Sequence, residues 1–507
     1  MVFLFRNFIN RRFLFIKMEL IVCAIFKNEA HILEEWITHY LYHGVDHIYL
    51  VNDFSSDKYQ SIIDKFSDKV TLFHNDIVVK TCGRQAMIQM KYFAPIIHKA
   101  KWAAILDLDE FLYSPEEIDI KKIIRRYENY SQIVVNWVLF GSNYHLYQPR
   151  GVVSGFTRRP RIISDPSYKS ILRTDSFINF DGVHKFPIRG ETVWLRTSET
   201  NSAPLLINHY MIQSQQFYLE IKQTRGDCDN WFDTHNLTRN KEMFDRFDIN
   251  DVEDLRLYNQ NKEIYKGLEK IDMNSDDITF IITSCNRPHL LDQTLQSFVE
   301  MNTYPIQMTY IIDDSGIQGC NDTVIEKYRE QLNIRSIYNK KNIGQIESID
   351  RVYSYVRTKW IFHCEEDWRF LQKGFIEKSM DIFKQNPEEK IFTVWLRAHN
   401  DSSGHPVIKI GDNNFIMQKD FSYMDRGKRY TWGGITFNPG LRKTEVALKY
   451  YPYSLTCEKE EEKNYIVGEY TVNKKYVEDG YYSRTLSDPS GHITHIGWHD
   501  HIKRPWD

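Results

Sequence analysis

The 507-residue chain reads as an α/β protein made of two tandem, mainly parallel-sheet domains. Three observations predict this. Short apolar strands alternate with amphipathic helices, the pattern of a doubly wound sheet. Polar and acidic clusters follow directly on those strands, at the carboxyl edge where such sheets bind ligands. The order then restarts in the second half of the chain. Asp53 and Asp313 lie 260 residues apart, as do Asp107 and Asp367, while Asn28 and Asn286 lie 258 apart. Three matches in register on similar coarse structure indicate a repeat of a whole domain.

The length calls for several domains. The expected layout is an N-terminal extension over 1–17, a first domain over 18–244, a polar linker over 245–276 and a second domain over 277–507. A net charge of −3 gives no nucleic-acid footprint, so no nucleic-acid partner is expected. Seven cysteines without a C-x-x-C pair argue against a disulfide scaffold or zinc site and predict a reducing, cytoplasmic setting. Residues 1–17 mix Phe, Leu and Ile with Arg6, Arg11, Arg12 and Lys17. They fit a peripheral membrane-surface helix or a stretch upstream of a true start at Met18. No run reaches the roughly eighteen apolar residues of a span.

In order, Glu19–Phe26 predicts a buried strand, and Lys27-Asn28-Glu29 opens a helix through Tyr42 whose apolar positions repeat at helical spacing. His47–Val51 is a strand ending in Asn52-Asp53. A helix near Tyr59–Phe66, a strand over Val70–His74 and a helix over Gly83–Ala100 lead to Trp102–Leu106, a strand that runs into Asp107-Leu108-Asp109-Glu110. Gln132–Phe140 is a further strand, and a helix is expected near Ser214–Thr224. The second half repeats the theme. Asp277–Thr283 precedes Ser284-Cys285-Asn286-Arg287-Pro288, Gln307–Ile312 precedes Asp313-Asp314, Asn342-Ile343-Gly344 opens a helix, and Trp360–Cys364 precedes Glu365-Glu366-Asp367.

Residues i and i+2 of an extended chain face one side, so Asp107 and Asp109 can aim at one point. Two hard oxygen ligands at a strand end suit a divalent ion that keeps open positions for phosphate; a solvated acidic turn is the plainer alternative. An acid after the second strand can bond a base or ribose. Together the two clusters suit a nucleoside diphosphate whose leaving group is the diphosphate. The chain has neither G-x-x-x-x-G-K-[ST] nor G-x-G-x-x-G, which argues against a P-loop or dinucleotide site. It also lacks the Gly-rich basic loop of a nucleotidyltransferase. A non-catalytic sugar-binding module remains a rival reading.

The first half resembles glycosyltransferases of family 92. The resemblance rests on Phe26-Lys27-Asn28-Glu29-Ala30, His43-Gly44-Val45-Asp46-His47, Asn52-Asp53-Phe54-Ser55-Ser56-Asp57, Asp107-Leu108-Asp109-Glu110-Phe111 and Asn208-His209-Tyr210, over about 19–235. The second half is similar to family 2-like transferases through Thr283–Pro288, Asp313-Asp314-Ser315, Asn342-Ile343-Gly344 and Glu365-Glu366-Asp367-Trp368, with Glu-Glu-Asp departing from the usual Asp-X-Asp. Both imply the GT-A fold, Mn²⁺ or Mg²⁺, a nucleotide-sugar donor (a UDP-sugar is expected) and a glycan or glycoprotein acceptor. The resemblance places Asn28, Glu29, Asp53, Asp107, Arg287, Asp313, Asp314 and Asn342 at the nucleotide. It places Asp107, Asp109, His209, Asp367 and His495 at the metal, with His184, His492 and His499 competing for the histidine role. For an inverting transfer Asp227, Glu458 and Glu461 are the candidate bases. Lys222 and Arg225 could contact diphosphate, and Trp432 could form an acceptor shelf. The expectation is a bifunctional enzyme; the alternative is one active domain beside a degenerate one.

Overall fold

In a computed structural model the described residues are 18–79, 83–163, 167–196, 203–224, 239–265, 275–402, 405–412, 414–419, 421–425, 428–456 and 468–498. The chain divides into two units, Met1–Glu269 and Lys270–Asp507. Both are mixed α/β with a large sheet, as the alternation predicts.

The strands of the first unit are β1 (Met18–Phe26), β2 (His47–Asn52), β3 (Val70–His74), β4 (Ala100–Ile105), β5 (Glu110–Tyr113), β6 (Gln132–Leu139), β7 (Arg158–Arg159), β8 (Tyr168–Arg173), β9 (Thr192–Leu195), β10 (Leu206–His209) and β11 (Val252–Glu253). The sheet order is β3-β2-β1-β4-β8-β6-β10-β5, with β9 also on β6. The β3-β2-β1-β4 half is parallel, and β8 then enters antiparallel to both β4 and β6. β1 is buried along nearly its whole length because helices cover both faces of a doubly wound sheet, which explains its continuous apolar run. The helix Ala30–Tyr42 buries Ile32, Leu33, Trp36, Ile37 and Tyr40 on that sheet.

The second unit has β12 (Ile278–Ser284), β13 (Met308–Asp313), β14 (Ile334–Tyr338), β15 (Trp360–Glu365), β16 (Trp368–Phe370), β17 (Ile391–Trp395), β18 (Val407–Gly411), β19 (Asn414–Met417), β20 (Phe421–Asp425), β21 (Lys428–Trp432), β22 (Gly440–Lys443), β23 (Tyr482–Thr485) and β24 (Ile493–His495). Its order, β14-β13-β12-β15-β22-β17-β23-β19-β18, repeats the first six positions of the other sheet strand for strand. Each unit also has a short antiparallel pair after its acidic cluster, β5 with β10 and β16 with β24.

Three helices differ from the sequence reading. The expected helix over Gly83–Ala100 covers only Arg84–Tyr92, and a 3₁₀ turn over Ile97–Lys99 completes the connection to β4. The stretch near Ser214–Thr224 is a π-helical turn, Phe217–Lys222. The polar segment expected as a linker over 245–276 instead takes in the end of helix Lys241–Phe247 and all of helix Arg256–Tyr265, both in the first unit. Several of its polar side chains are satisfied by the protein. Asp248 accepts from Ser142 N at 2.8 Å, Arg159 pairs with Asp254 at 2.7 Å, and buried Asn261 bridges His39 and His43.

Candidate active site

In the first unit a cavity of about 420 Å³ opens at the carboxyl edge of the parallel strands. Asp53, Asp107, Asp109, His209 and Glu29 line it, together with Lys27, Trp137 and Lys222. The acidic turn after β4 is built from below. Trp36 Nε1 donates to the carbonyls of Asp107 (3.1 Å) and Glu110 (3.0 Å), and Tyr40 OH donates to Glu110 O at 2.9 Å. Buried Glu110 closes the turn by accepting from Asp107 N at 3.0 Å. Burial pushes the Glu110 carboxyl well above its usual range; Lys169 pulls it back, while Asp107 and Asp109 push it further.

The two aspartates have different surroundings. Asp107 is part-exposed and pairs with Lys169 at 2.8 Å. Asp109 is buried, 2.5 Å from Lys222 Nζ and 3.4 Å from His209 Nε2. Burial alone would raise the Asp109 carboxyl, but Lys222 and His209 hold it well below the usual carboxylate range. His209 is delivered by the β5–β10 register, which sets it opposite Glu110, and the next residue, Tyr210, donates its N–H to Asp109 O at 2.8 Å.

The residues expected at the nucleotide fall into two groups. Asp53 lines the cavity but is saturated: Arg84 grips both carboxylate oxygens (2.8 and 2.5 Å), and Asn75 Nδ2 donates at 2.7 Å. Asn28, at φ 52°, shapes the rim by accepting from Ser56 N at 2.7 Å. Neither Arg84 nor Lys169 was marked in the sequence, because a lone Arg or Lys has no motif. The signal for Arg84 is the left-handed Gly83 at the head of its helix, and the signal for Lys169 is a charge inside the otherwise buried strand β8.

The second unit repeats the acid–histidine arrangement. Asp367 Oδ2 lies 3.2 Å from His495 Nε2, His495 pairs across the ladder with Trp368, and Ile496 donates its N–H to Asp367 O at 2.8 Å. These contacts match Asp109 with Asp367 and His209 with His495, an offset of 258 for the acid. The 260-residue match of Asp107 to Asp367 is corrected accordingly: Asp107 falls on Glu365. The β2 acid shifts as well. Asp53 N donates to Phe26 O, and Asp314 N donates to Ser284 O; Asn75 serves Asp53 as Asn339 serves Asp314, at 2.7 and 2.8 Å. The counterpart of Asp53 is therefore Asp314, while Asp313 braces the loop through Ser284, Asn286 and Asn321.

Arg287 crosses this acidic cluster, 2.8 Å from Glu366 and 2.9 Å from Asp367. His495 and Arg287 outweigh burial and lower the Asp367 carboxyl. Glu365 is pushed up to about 8, by burial first and then by Glu469, Asp367 and Glu366. Asn342, exposed at the rim, reaches Cys285 Sγ at 3.8 Å. Of the competing histidines, His184 bonds the Tyr168 carbonyl and His492 faces Lys378. Trp432 ends β21, half-buried. Asp227, Glu458, Glu461, Arg225 and His499 lie outside the described residues.

Among the described residues no group of three or more His, Cys, Asp and Glu side chains converges on a metal position. Each unit instead offers one carboxylate and one imidazole. The Nδ1 atoms of His209 and His495 are buried without a partner among the described residues. Gly497 presses against Asp367 so closely that a Cβ would sit 2.5 Å from Oδ2. A two-ligand donor set of this kind fits an ion that takes its remaining oxygens from a diphosphate.

Residues 279–443 match the family model described as glycosyl transferase family 2. Curated relatives include a glycosyltransferase family 92 protein of Ricinus communis, 26% identical over 217 residues, covering 39% of this chain and 36% of that protein. One from Oryza sativa subsp. japonica is 26% identical over 204 residues, covering 38% of this chain and 33% of that protein. The chain thus spans about a third of the length of the curated relatives it matches. Among solved structures, S. aureus TarS 1–349 in complex with UDP-GlcNAc aligns at 13% identity and TM-score 0.30, covering 45% of this chain and 62% of that one. GalNAc-T7 with UDP, GalNAc and Mn²⁺ aligns at 12% identity and TM-score 0.32, covering 46% of each. The family 2 domain and the family 92 relatives support a transferase. No helix among the described residues is long and apolar enough to cross a membrane.

Proposed function

We propose that the chain is a bifunctional glycosyltransferase of the GT-A fold, each unit moving a sugar from a nucleoside-diphosphate donor to a hydroxyl of a glycan or glycoprotein with inversion. The observation that supports this is the acid–histidine pair held by the same ladder register in both units, the histidine opposite the residue after the acid. Asp109 with His209, and Asp367 with His495, are the residues that would hold Mn²⁺ or Mg²⁺. A divalent ion supplies Lewis-acid neutralisation of the departing diphosphate. The protein's own part is positional. Lys169 keeps Asp107 oriented, Asp53 and Asp314 fix the loops around the nucleoside, and Trp137 and Tyr218 wall the first cavity against water. In the second unit Glu365, with its pKa near 8, can hold and release a proton close to neutral pH.

The test is a panel of UDP- and GDP-sugars assayed for hydrolysis and transfer with Mn²⁺, Mg²⁺ or EDTA. Metal-dependent release of nucleotide from at least one donor is expected; glycan binding with no turnover of any donor would point to a sugar-binding module instead. A second reading, one active unit beside a degenerate one, is favoured by Arg287 lying across Asp367 where the first unit has Glu29 at the matching position.

A further inference from the structure

Resting on the reading of the first unit as a metal–diphosphate site, we propose that Lys222 is a tethered cation that holds the metal position of Asp109 until a divalent ion displaces it. Its ammonium sits where an ion ligated by Asp109 would sit, 2.5 Å from Asp109 Oδ2 and 2.6 Å from the Met211 carbonyl, beside His209 Nε2. Lys222 is only 5% exposed. A lysine and a divalent ion cannot share one buried carboxylate at this range, because their mutual repulsion is weakly screened there. Binding of the ion therefore requires the ammonium to move.

The chain is built to allow that movement. Lys222 is the last residue of a single π-helical turn, Phe217–Lys222. Such turns are rare and are frequent at functional sites, and Lys222 ends this one, with a long unbranched side chain whose ammonium can swing without moving the backbone. The cavity that Asp109 faces also contains Lys222, so the released ammonium would stay beside an incoming diphosphate. Among the described residues of the second unit the cation on Asp367 is Arg287, which comes from the residue before the helix Pro288–Met301 and is shared with Glu366, so it is anchored independently of Asp367. The result would be an empty site that stays charge-neutral and binds metal weakly until donor arrives.

The experiment uses the full chain carrying Asp367→Asn, which silences the second unit, and measures free Mn²⁺ by electron paramagnetic resonance as MnCl₂ is added without nucleotide. Lys222→Met is expected to tighten Mn²⁺ binding about tenfold or more, and Lys222→Arg, which keeps the competing charge, to leave it within about threefold of the parent. Without metal, Lys222→Met should melt below the parent and recover more than the parent does when MnCl₂ is added, since buried Asp109 keeps His209 but loses its ammonium partner. Should Lys222→Met not fold, Lys222→Gln carries the same test. Unchanged or weaker Mn²⁺ binding in the Met variant, with Asp109→Asn still abolishing it, overturns the latch and leaves the metal site standing. Binding that survives Asp109→Asn overturns the metal reading and the latch with it.

Discussion

The two units solve one problem, holding an acid at the rim of the second parallel strand, with different chemistry. In the first, Asp53 is matched by a buried guanidinium, Arg84. In the second, Asp314 receives Asn339 and the backbone N–H groups of Ile343 and Gly344, at 2.7 to 2.8 Å, with no cation among those partners. Burial then raises the Asp314 carboxyl above its ordinary value despite those donors. The difference teaches that the loop position is what both units keep, whereas the means of neutralising it is free. The same holds one layer out, where Glu29 of the first unit stands in the place of Arg287.

The largest expected effect separates these two solutions. Arg84→Met leaves Asp53 charged and buried, and should cost the first unit about 3–5 kcal/mol. Asp314→Asn, which gives up only part of a neutral hydrogen-bond set, should cost the second unit about 1–3 kcal/mol. Calorimetry that resolves the two transitions checks both; equal losses would erase the contrast. Next, Asp109→Asn and Asp367→Asn should each remove about a hundredfold of the turnover of one donor activity, leaving the other intact. Loss of a single activity by only one of the two variants would identify the degenerate unit.

A smaller effect concerns pH. The Glu365 carboxyl is raised from 4.5 to about 8, so the folded second unit binds more protons than the unfolded chain between those values. Its contribution to stability is fully present below about 4.5 and is lost as pH rises through about 8. Glu365→Gln should therefore flatten the fall in melting temperature between pH 5 and pH 8, at about 2–4 °C per kcal/mol regained. The Asp107 variant, Asp107→Asn, should leave that slope unchanged. The smallest effect lies in the helix that braces each acidic turn. Trp36 and Thr294 occupy equivalent sites and donate to the turn's carbonyls, Thr294 Oγ1 to Glu366 O at 2.6 Å. Thr294→Val should cost about 1 kcal/mol, read as a shift of the second transition alone.

Much of this was legible in the residues. The alternation of apolar strands and helices announced the doubly wound sheets; Asp109, His209, Asp367 and His495 were named through the family resemblance, and the structure sets each of these acids beside its histidine. What the sequence misjudged was register. An offset of 260 matches the letters of Asp107 and Asp367, but side-chain partners follow ladder pairing, and a bridge to the residue after the acid selects 258. Arg84 and Lys169 were hidden for another reason. A buried cation is defined by the carboxylate it meets, and neither Asp53 nor Asp107 is near it in the chain. The 245–276 stretch was expected to be a linker because it is polar, yet Asn261 is fully buried between two histidines.

The one-residue bridge between acid and histidine has a consequence for how such a chain can diversify. His209 lies 100 residues beyond Asp109, and His495 lies 128 beyond Asp367. In both cases a short antiparallel ladder fixes their meeting, and the length of chain between them does not enter. That intervening chain carries the sheet strands β6 and β8 in the first unit and β17, β22 and β23 in the second, so it is the loops between those strands that can change length while the pair at the two ends stays in place.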